Sequence, residues 1–140
     1  MKNKGAKVLL GGDSPSGDMA SGCYVNPTVF EKVQPEMEIV QKEIFGPVLI
    51  ASPFEDLEDV IARGNDTTYG LAASVWTRDI KKAHKTARGL KAGTVWVNCH
   101  NIFDANAPFG GYKQSGYGRE MSLHALENYT QVKNVIVQLH

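Results

Sequence analysis

A regular alternation of strand-like and helix-like segments over residues 48–98 constrains the fold of this chain more than any other feature. Val48–Ala51, Leu71–Trp76 and Gly93–Asn98 are short apolar segments of strand length, which is typical of strands covered on both faces. Between them, Phe54–Arg63 and the segment that opens at Asp79 carry apolar residues at helical spacing. This order of strand, helix, strand, helix and strand predicts an α/β fold with a mostly parallel sheet and flanking helices.

The chain before this region is less regular. Val8–Leu10 and Tyr24–Phe30 have the composition of strands, and Pro27 marks the start or the edge of the second one. Asp13–Gly22 is rich in Ser, Gly, Asp and Pro and is predicted to be a surface loop.

The chain after Asn98 loses the alternation. Residues 99–119 combine Pro108 with several glycines and aromatic residues, and a connection this long and this particular is typical of a functional loop. Ser122 is predicted to cap a helix, and Val132–Leu139 is β-branched and alternating, which predicts a final strand.

Composition and charge exclude several classes of function. Fifteen basic residues balance fifteen acidic ones, so the summed field does not attract nucleic acid or an anionic membrane. A basic cluster in the second helix is interpreted as a solvated helix face; its members are Lys81, Lys82, Lys85, Arg88 and Lys91. No apolar run is long enough to span a bilayer, and the N-terminus lacks the apolar core of a signal peptide, so we expect a cytoplasmic protein.

The two cysteines, Cys23 and Cys99, do not form a recognisable redox or metal motif. They lie far apart without a C-x-x-C pair, which is typical of structural thiols in a reducing compartment. Cys99 is followed by His100, but no second ligand pair stands at zinc-site spacing, and we expect no metal site.

The glycine-rich segment, residues 110–118, does not match a phosphate-binding motif. Gly111 and Gly116 have the spacing of a Walker loop, but Tyr117 and Gly118 stand where Lys and Ser or Thr are required. A dinucleotide fingerprint that starts at Gly116 fails as well, because Met121 replaces its third glycine.

Two segments carry a resemblance to a known family. Glu43–Val48 and Pro108–Glu120 resemble signature segments of the aldehyde dehydrogenase superfamily, and Asn65–Ala73 and Gly93–Asn98 match further family blocks between them. The resemblance extends from Gly5 to about Val137. It implies the C-terminal part of an aldehyde dehydrogenase catalytic domain over residues 1–129 and an oligomerisation strand over residues 130–140.

The resemblance also implies a reaction, which is the oxidation of an aldehyde to a carboxylic acid with NAD or NADP. The nucleophilic cysteine, the general base and the dinucleotide-binding fold of the family belong to segments N-terminal to those matched here. No catalytic residue is therefore assigned, and we expect the chain to be inactive alone. The expected partners are an aldehyde and further subunits, in a homodimer or homotetramer, or the rest of the enzyme. The alternative is a non-catalytic oligomerisation or binding module derived from this family.

Four residues occupy positions to which the resemblance gives a role. Glu43 matches the glutamate that binds the hydroxyls of the nicotinamide ribose, and Phe45 matches the aromatic residue beside the nicotinamide ring. Phe103 and Phe109 fall where the family lines its aldehyde tunnel. Without the resemblance, Glu43 would be an ordinary surface acid and the three phenylalanines ordinary packing residues.

Overall fold

A computed structural model describes residues 5–140. The basic N-terminal residues and the start of the predicted 1–129 domain lie outside the described residues. The chain divides into two compact units, Met1–Arg63 and Gly64–His140, and each has its own sheet. The predicted boundary between residues 129 and 130 stays a prediction.

The first unit contains a three-stranded sheet. Its strands are β1 (Lys7–Leu10), β2 (Thr28–Glu31) and β3 (Val48–Ile50), and β2 pairs antiparallel with β1 and parallel with β3. A 3-10 helix covers Gly17–Ser21, and the short helix α1 covers Glu38–Gln41. The buried residues Ala6, Phe30 and Ile39 form the core, because the sheet and α1 each turn their apolar side chains toward it.

The second unit is a parallel strand pair with a crossover helix. Strands β4 (Ala72–Val75) and β5 (Thr94–Val97) are joined by α3 (Ile80–Gly89), which follows the predicted order of elements. Asp79 caps α3, since its carboxylate accepts hydrogen bonds from the next turn of backbone N–H groups. Ala83 and Trp96 are the buried apolar residues of this unit.

The remaining helix, α2 (Leu57–Asn65), begins and ends later than the predicted segment Phe54–Arg63. Its start is fixed by Asp56, whose carboxylate accepts a hydrogen bond from the Asp59 N–H at 2.8 Å. The helix continues through Gly64 and ends at Asn65, two residues beyond the predicted end at Arg63.

The mostly parallel character of the sheet is confirmed, because two of the three strand pairings among the described residues are parallel. The single sheet that the alternation suggested is not formed. β3 pairs within the first unit, whereas β4 and β5 pair with each other in the second.

The C-terminal region differs from its predicted secondary structure. Ser122 does cap a helix, but the helix is a 3-10 helix over Leu123–Asn128. Val132–Leu139 is not assigned to a strand in the part of the chain that the structure describes. A β-branched segment needs a neighbouring edge for its backbone groups, and its apolar side chains are exposed here.

Two further findings concern residues 5–140 only. None of their helices is long and apolar enough to cross a membrane. No three of their His, Cys, Asp and Glu side chains are grouped in a way that could hold a metal ion.

Candidate functional site

Glu43 and Phe45 lie on the turn that joins α1 to β3 in the first unit. The residue between them, Ile44, packs against the core of that unit. Ile44 is partly buried against that core, whereas its two neighbours Glu43 and Phe45 are not. Both are exposed, and 93% of the Phe45 surface is accessible.

Hydrogen bonds hold this turn at both ends. On the α1 side, the Lys42 N–H donates to the Glu38 carbonyl at 2.9 Å. On the β3 side, the Pro47 carbonyl accepts from the Thr28 N–H at 2.9 Å. The turn is therefore fixed by the helix and the sheet, and it presents a carboxylate and an aromatic ring two residues apart.

Phe103 and Phe109 belong to an aromatic series in the second unit. Trp96, at the end of β5, contacts Phe103 edge-to-face with ring centroids 5.6 Å apart. Phe103 in turn contacts Phe109 at 5.1 Å, again nearly perpendicular. The Trp96 Nε1–H donates to the Ile102 carbonyl at 2.7 Å, which fixes the start of the loop. The structure thus brings the two predicted tunnel residues into direct contact.

The glycine-rich segment is bound to the turn that precedes β4. Lys113 donates from Nζ to the carbonyls of Asn65 and Thr67 at 2.8 and 2.9 Å. Gly70 uses both of its backbone groups, since its N–H donates to Ser115 Oγ at 2.9 Å and its carbonyl accepts from the Tyr112 N–H at 2.8 Å. These hydrogen bonds fix the glycine-rich segment against the turn before β4.

Close approach of two backbones requires glycine at Gly93. A Cβ atom built on Gly93 would lie 1.6 Å from the Gly110 carbonyl oxygen. No side chain fits there, because real Cβ contacts essentially never fall below 3.0 Å. Gly93 therefore sets the distance between β5 and the glycine-rich segment.

An open cavity of about 420 Å³ adjoins this segment within the second unit. Phe109 contributes to its wall, together with Ser115, Arg119 and Asn128. The Arg119 guanidinium donates to two backbone carbonyls and lies 5.2 Å from the centroid of the Tyr112 ring. Arg119 is thereby oriented by hydrogen bonds to the backbone of its own chain, and the cavity lining mixes aromatic residues with polar and charged ones.

Two carboxyl groups have a pKa lowered from the ordinary value, and neither is a predicted site residue. A hydrogen bond from the Lys7 ammonium to Glu31 Oε1 at 2.6 Å holds the pKa of Glu31 down. The backbone N–H of Glu55, and then the Arg63 side chain, lower the pKa of Asp59. These shifts belong to structural ion pairs.

Sequence reasoning missed two residues that organise the second unit. The strand pattern predicts only that Trp96 belongs to a strand, although a buried indole N–H requires an acceptor and indicates a fixed loop nearby. Lys113 belongs to a family signature segment, and nothing in the sequence marks the two carbonyls that it binds. The type of a residue does not reveal which backbone carbonyls its side chain binds.

The parallel pair β4 and β5, joined by α3 and followed by a glycine-rich segment, places the second unit among α/β proteins. The sequence model described as the aldehyde dehydrogenase family matches residues 1–135. The chain belongs to the aldehyde dehydrogenase family.

Individual relatives agree with this assignment. The chain is 56% identical over 138 residues to the Bacillus subtilis (strain 168) protein DhaS, covering 99% of this chain and 27% of DhaS. It is 49% identical over 138 residues to the mitochondrial aldehyde dehydrogenase of Homo sapiens, covering 99% of this chain and 26% of that protein. The NAD+ complex of an aldehyde dehydrogenase from Bacillus cereus superposes with a TM-score of 0.88 at 51% identity, covering 99% of this chain and 28% of that one. This chain spans about a quarter of the length of the curated relatives named here.

Proposed function

We propose that this chain serves the NAD- or NADP-dependent oxidation of an aldehyde to a carboxylic acid. In this proposal it contributes residues that bind the cofactor ribose and the aldehyde, together with a segment for oligomerisation. The observation that carries the proposal is the turn on which Glu43 and Phe45 are both exposed while Ile44 anchors them to the core. Family membership supports the same conclusion.

The chemistry of this turn fits a nicotinamide ribose. A carboxylate only accepts hydrogen bonds, and its two oxygens suit the two adjacent hydroxyls of a ribose. A flat ring that covers an exposed phenyl ring stabilises the complex, since an aromatic side chain can bury about 150–250 Å². When bound, the nicotinamide supplies the acceptor for the hydride that leaves the aldehyde carbon. Glu43 and Phe45 would orient it, and no nucleophile is assigned to this chain.

The aldehyde side of the proposal rests on Phe103 and Phe109. Their rings contact each other edge-to-face, and Phe109 forms part of the cavity wall. Aromatic rings hold weakly polar ligands by excluding water from the contact. The two phenylalanine rings therefore favour an apolar or aromatic aldehyde over a charged one.

The first experiment reads the coding DNA upstream of Met1 and expresses the protein with any in-frame sequence found there. Purified protein is mixed with an aldehyde and NAD or NADP, and the absorbance of the reduced nicotinamide is followed. We expect Glu43→Gln to raise the KM for the cofactor about tenfold or more, because a hydrogen bond to a charged group contributes about 1.5–3 kcal/mol. Glu36→Gln is the matched control, as Glu36 is also exposed in the first unit. Equal KM values for the two variants would contradict the role of Glu43.

The second candidate is a non-catalytic module that pairs through its C-terminal segment. The exposed apolar side chains of Val132, Val135, Val137 and Leu139 favour it, since an alternating apolar strand gains by joining another sheet edge. Sedimentation analysis tests self-association, which both candidates share, and the cofactor-reduction assay on the same protein distinguishes them. Self-association without cofactor reduction favours the module, and self-association with cofactor reduction favours the enzyme.

A further inference from the structure

Trp96 connects the buried part of the second unit to the predicted aldehyde site. Only 8% of its surface is exposed, whereas Phe103, its neighbour in the aromatic series, is 46% exposed. The series then continues to Phe109, which borders the cavity. A buried ring therefore packs behind one exposed ring and one partly exposed ring.

Trp96 is itself fixed from two directions. Its place in β5 is set by parallel pairing with Ser74 of β4. Its Nε1–H is held by the Ile102 carbonyl at 2.7 Å, one residue before Phe103. This hydrogen bond limits the backbone that carries Phe103, and the edge-to-face contact limits the ring.

We propose that Trp96 is a positioning residue that fixes Phe103, and through it Phe109, in the ring orientation that admits aromatic aldehydes. The inference rests on the proposed function. It assigns to Trp96 a role in substrate selection, although the indole does not border the cavity. A bulky aldehyde would pack against the exposed parts of these rings and depends on their orientation, whereas a two-carbon aldehyde touches too little of them to do so.

The test uses the protein expressed with any in-frame upstream sequence, and it compares phenylacetaldehyde with acetaldehyde. Trp96→Phe keeps an aromatic ring but removes the N–H donor. We expect the KM for phenylacetaldehyde to rise about fivefold to tenfold, which is the size of effect that loss of one buried hydrogen bond produces. The KM for acetaldehyde and both kcat values should stay within about twofold, because the reacting groups are untouched. A purely structural role would lower the melting temperature without changing the ratio of the two KM values.

Two further variants make the test specific. Trp76→Phe is the control, because Trp76 is exposed and lies outside the aromatic series. Phe103→Leu tests the route, since Trp96→Phe should have no added effect in that background if Trp96 acts through Phe103. Trp96→Tyr keeps more of the ring volume and replaces Trp96→Phe if that variant does not fold.

Each outcome decides a different point. An unchanged KM ratio in an active Trp96 variant overturns the inference and leaves the proposed function intact. Additive effects of Trp96→Phe and Phe103→Leu also overturn it. If the unsubstituted protein, extended by in-frame upstream sequence, oxidises neither these two aldehydes nor any other with NAD or NADP, the proposed function and the inference both fail.

Discussion

Replacing Gly93 with alanine should destabilise the second unit more than any other change of one methyl group in it. The added Cβ would have to move from 1.6 Å to at least 3.0 Å from the Gly110 carbonyl oxygen. The obstacle is backbone on both sides, so no side-chain rotation relieves it. β5 and the glycine-rich segment must separate.

The magnitude follows from what this separation breaks. The Gly70 carbonyl accepts from the Gly93 N–H at 3.1 Å and from the Tyr112 N–H at 2.8 Å, and neither bond survives such a shift. Each contributes about 1 kcal/mol net. Forced repacking adds about 1–3 kcal/mol, so we expect a total loss of about 3–5 kcal/mol. Small domains have only about 5–15 kcal/mol of stability in all.

Urea unfolding followed by circular dichroism measures this loss, with the free energy taken from linear extrapolation. The melting temperature should fall by about 10 °C. Gly64→Ala is the matched control. Gly64 lies inside helix α2, and a Cβ atom there would meet only the end of the Leu90 side chain, at 2.9 Å. That variant should stay within about 1 kcal/mol of the unsubstituted protein, since alanine favours helix. Equal unfolding midpoints for the two variants would refute the argument from close approach.

Two other substitutions test the hydrogen bonds and ion pairs of the two units. Lys113→Met should lower the free energy of unfolding by about 1–2 kcal/mol, because it removes two charge-assisted hydrogen bonds to backbone carbonyls. The same urea experiment measures this loss. Lys91→Met is the control, because Lys91 is also exposed. Asp59→Asn should lower the urea midpoint at neutral pH. The pKa of Asp59 is lowered in the folded state, so the ionised carboxylate stabilises the folded protein. This contribution is fully present above the unfolded-state pKa of about 4, and it is lost as the pH falls through the lower folded-state value. The difference between the two midpoints should therefore shrink in acid, and a difference independent of pH would contradict the assignment.

The order of elements was predictable from sequence because it depends on local patterns. Asp79 carries a cap signal and β5 a continuous apolar run, and both structures form where the patterns predict them. Sheet partners were not predictable in the same way. β3 and β4 are both short and follow each other in the chain, yet they belong to different sheets, because pairing depends on contacts distant in sequence.

The candidate site was likewise predictable where it depends on local sequence, and not where it depends on contacts between distant segments. The sequence motif led to Glu43 and Phe45, but their exposure depends on Ile44 packing against a core formed by other segments. Likewise, Phe103 was identified from its place in a family segment. Its contact with Trp96 depends on how the loop after β5 returns, which residue types do not encode.

The double use of the Gly70 carbonyl has a consequence for how the second unit opens. One oxygen joins the start of β5, through Gly93, to the glycine-rich segment, through Tyr112. Neither segment can leave without disturbing the acceptor that it shares with the other. We therefore expect the amide protons of Gly93 and Tyr112 to show similar protection from exchange with solvent, as members of one cooperative folding unit would.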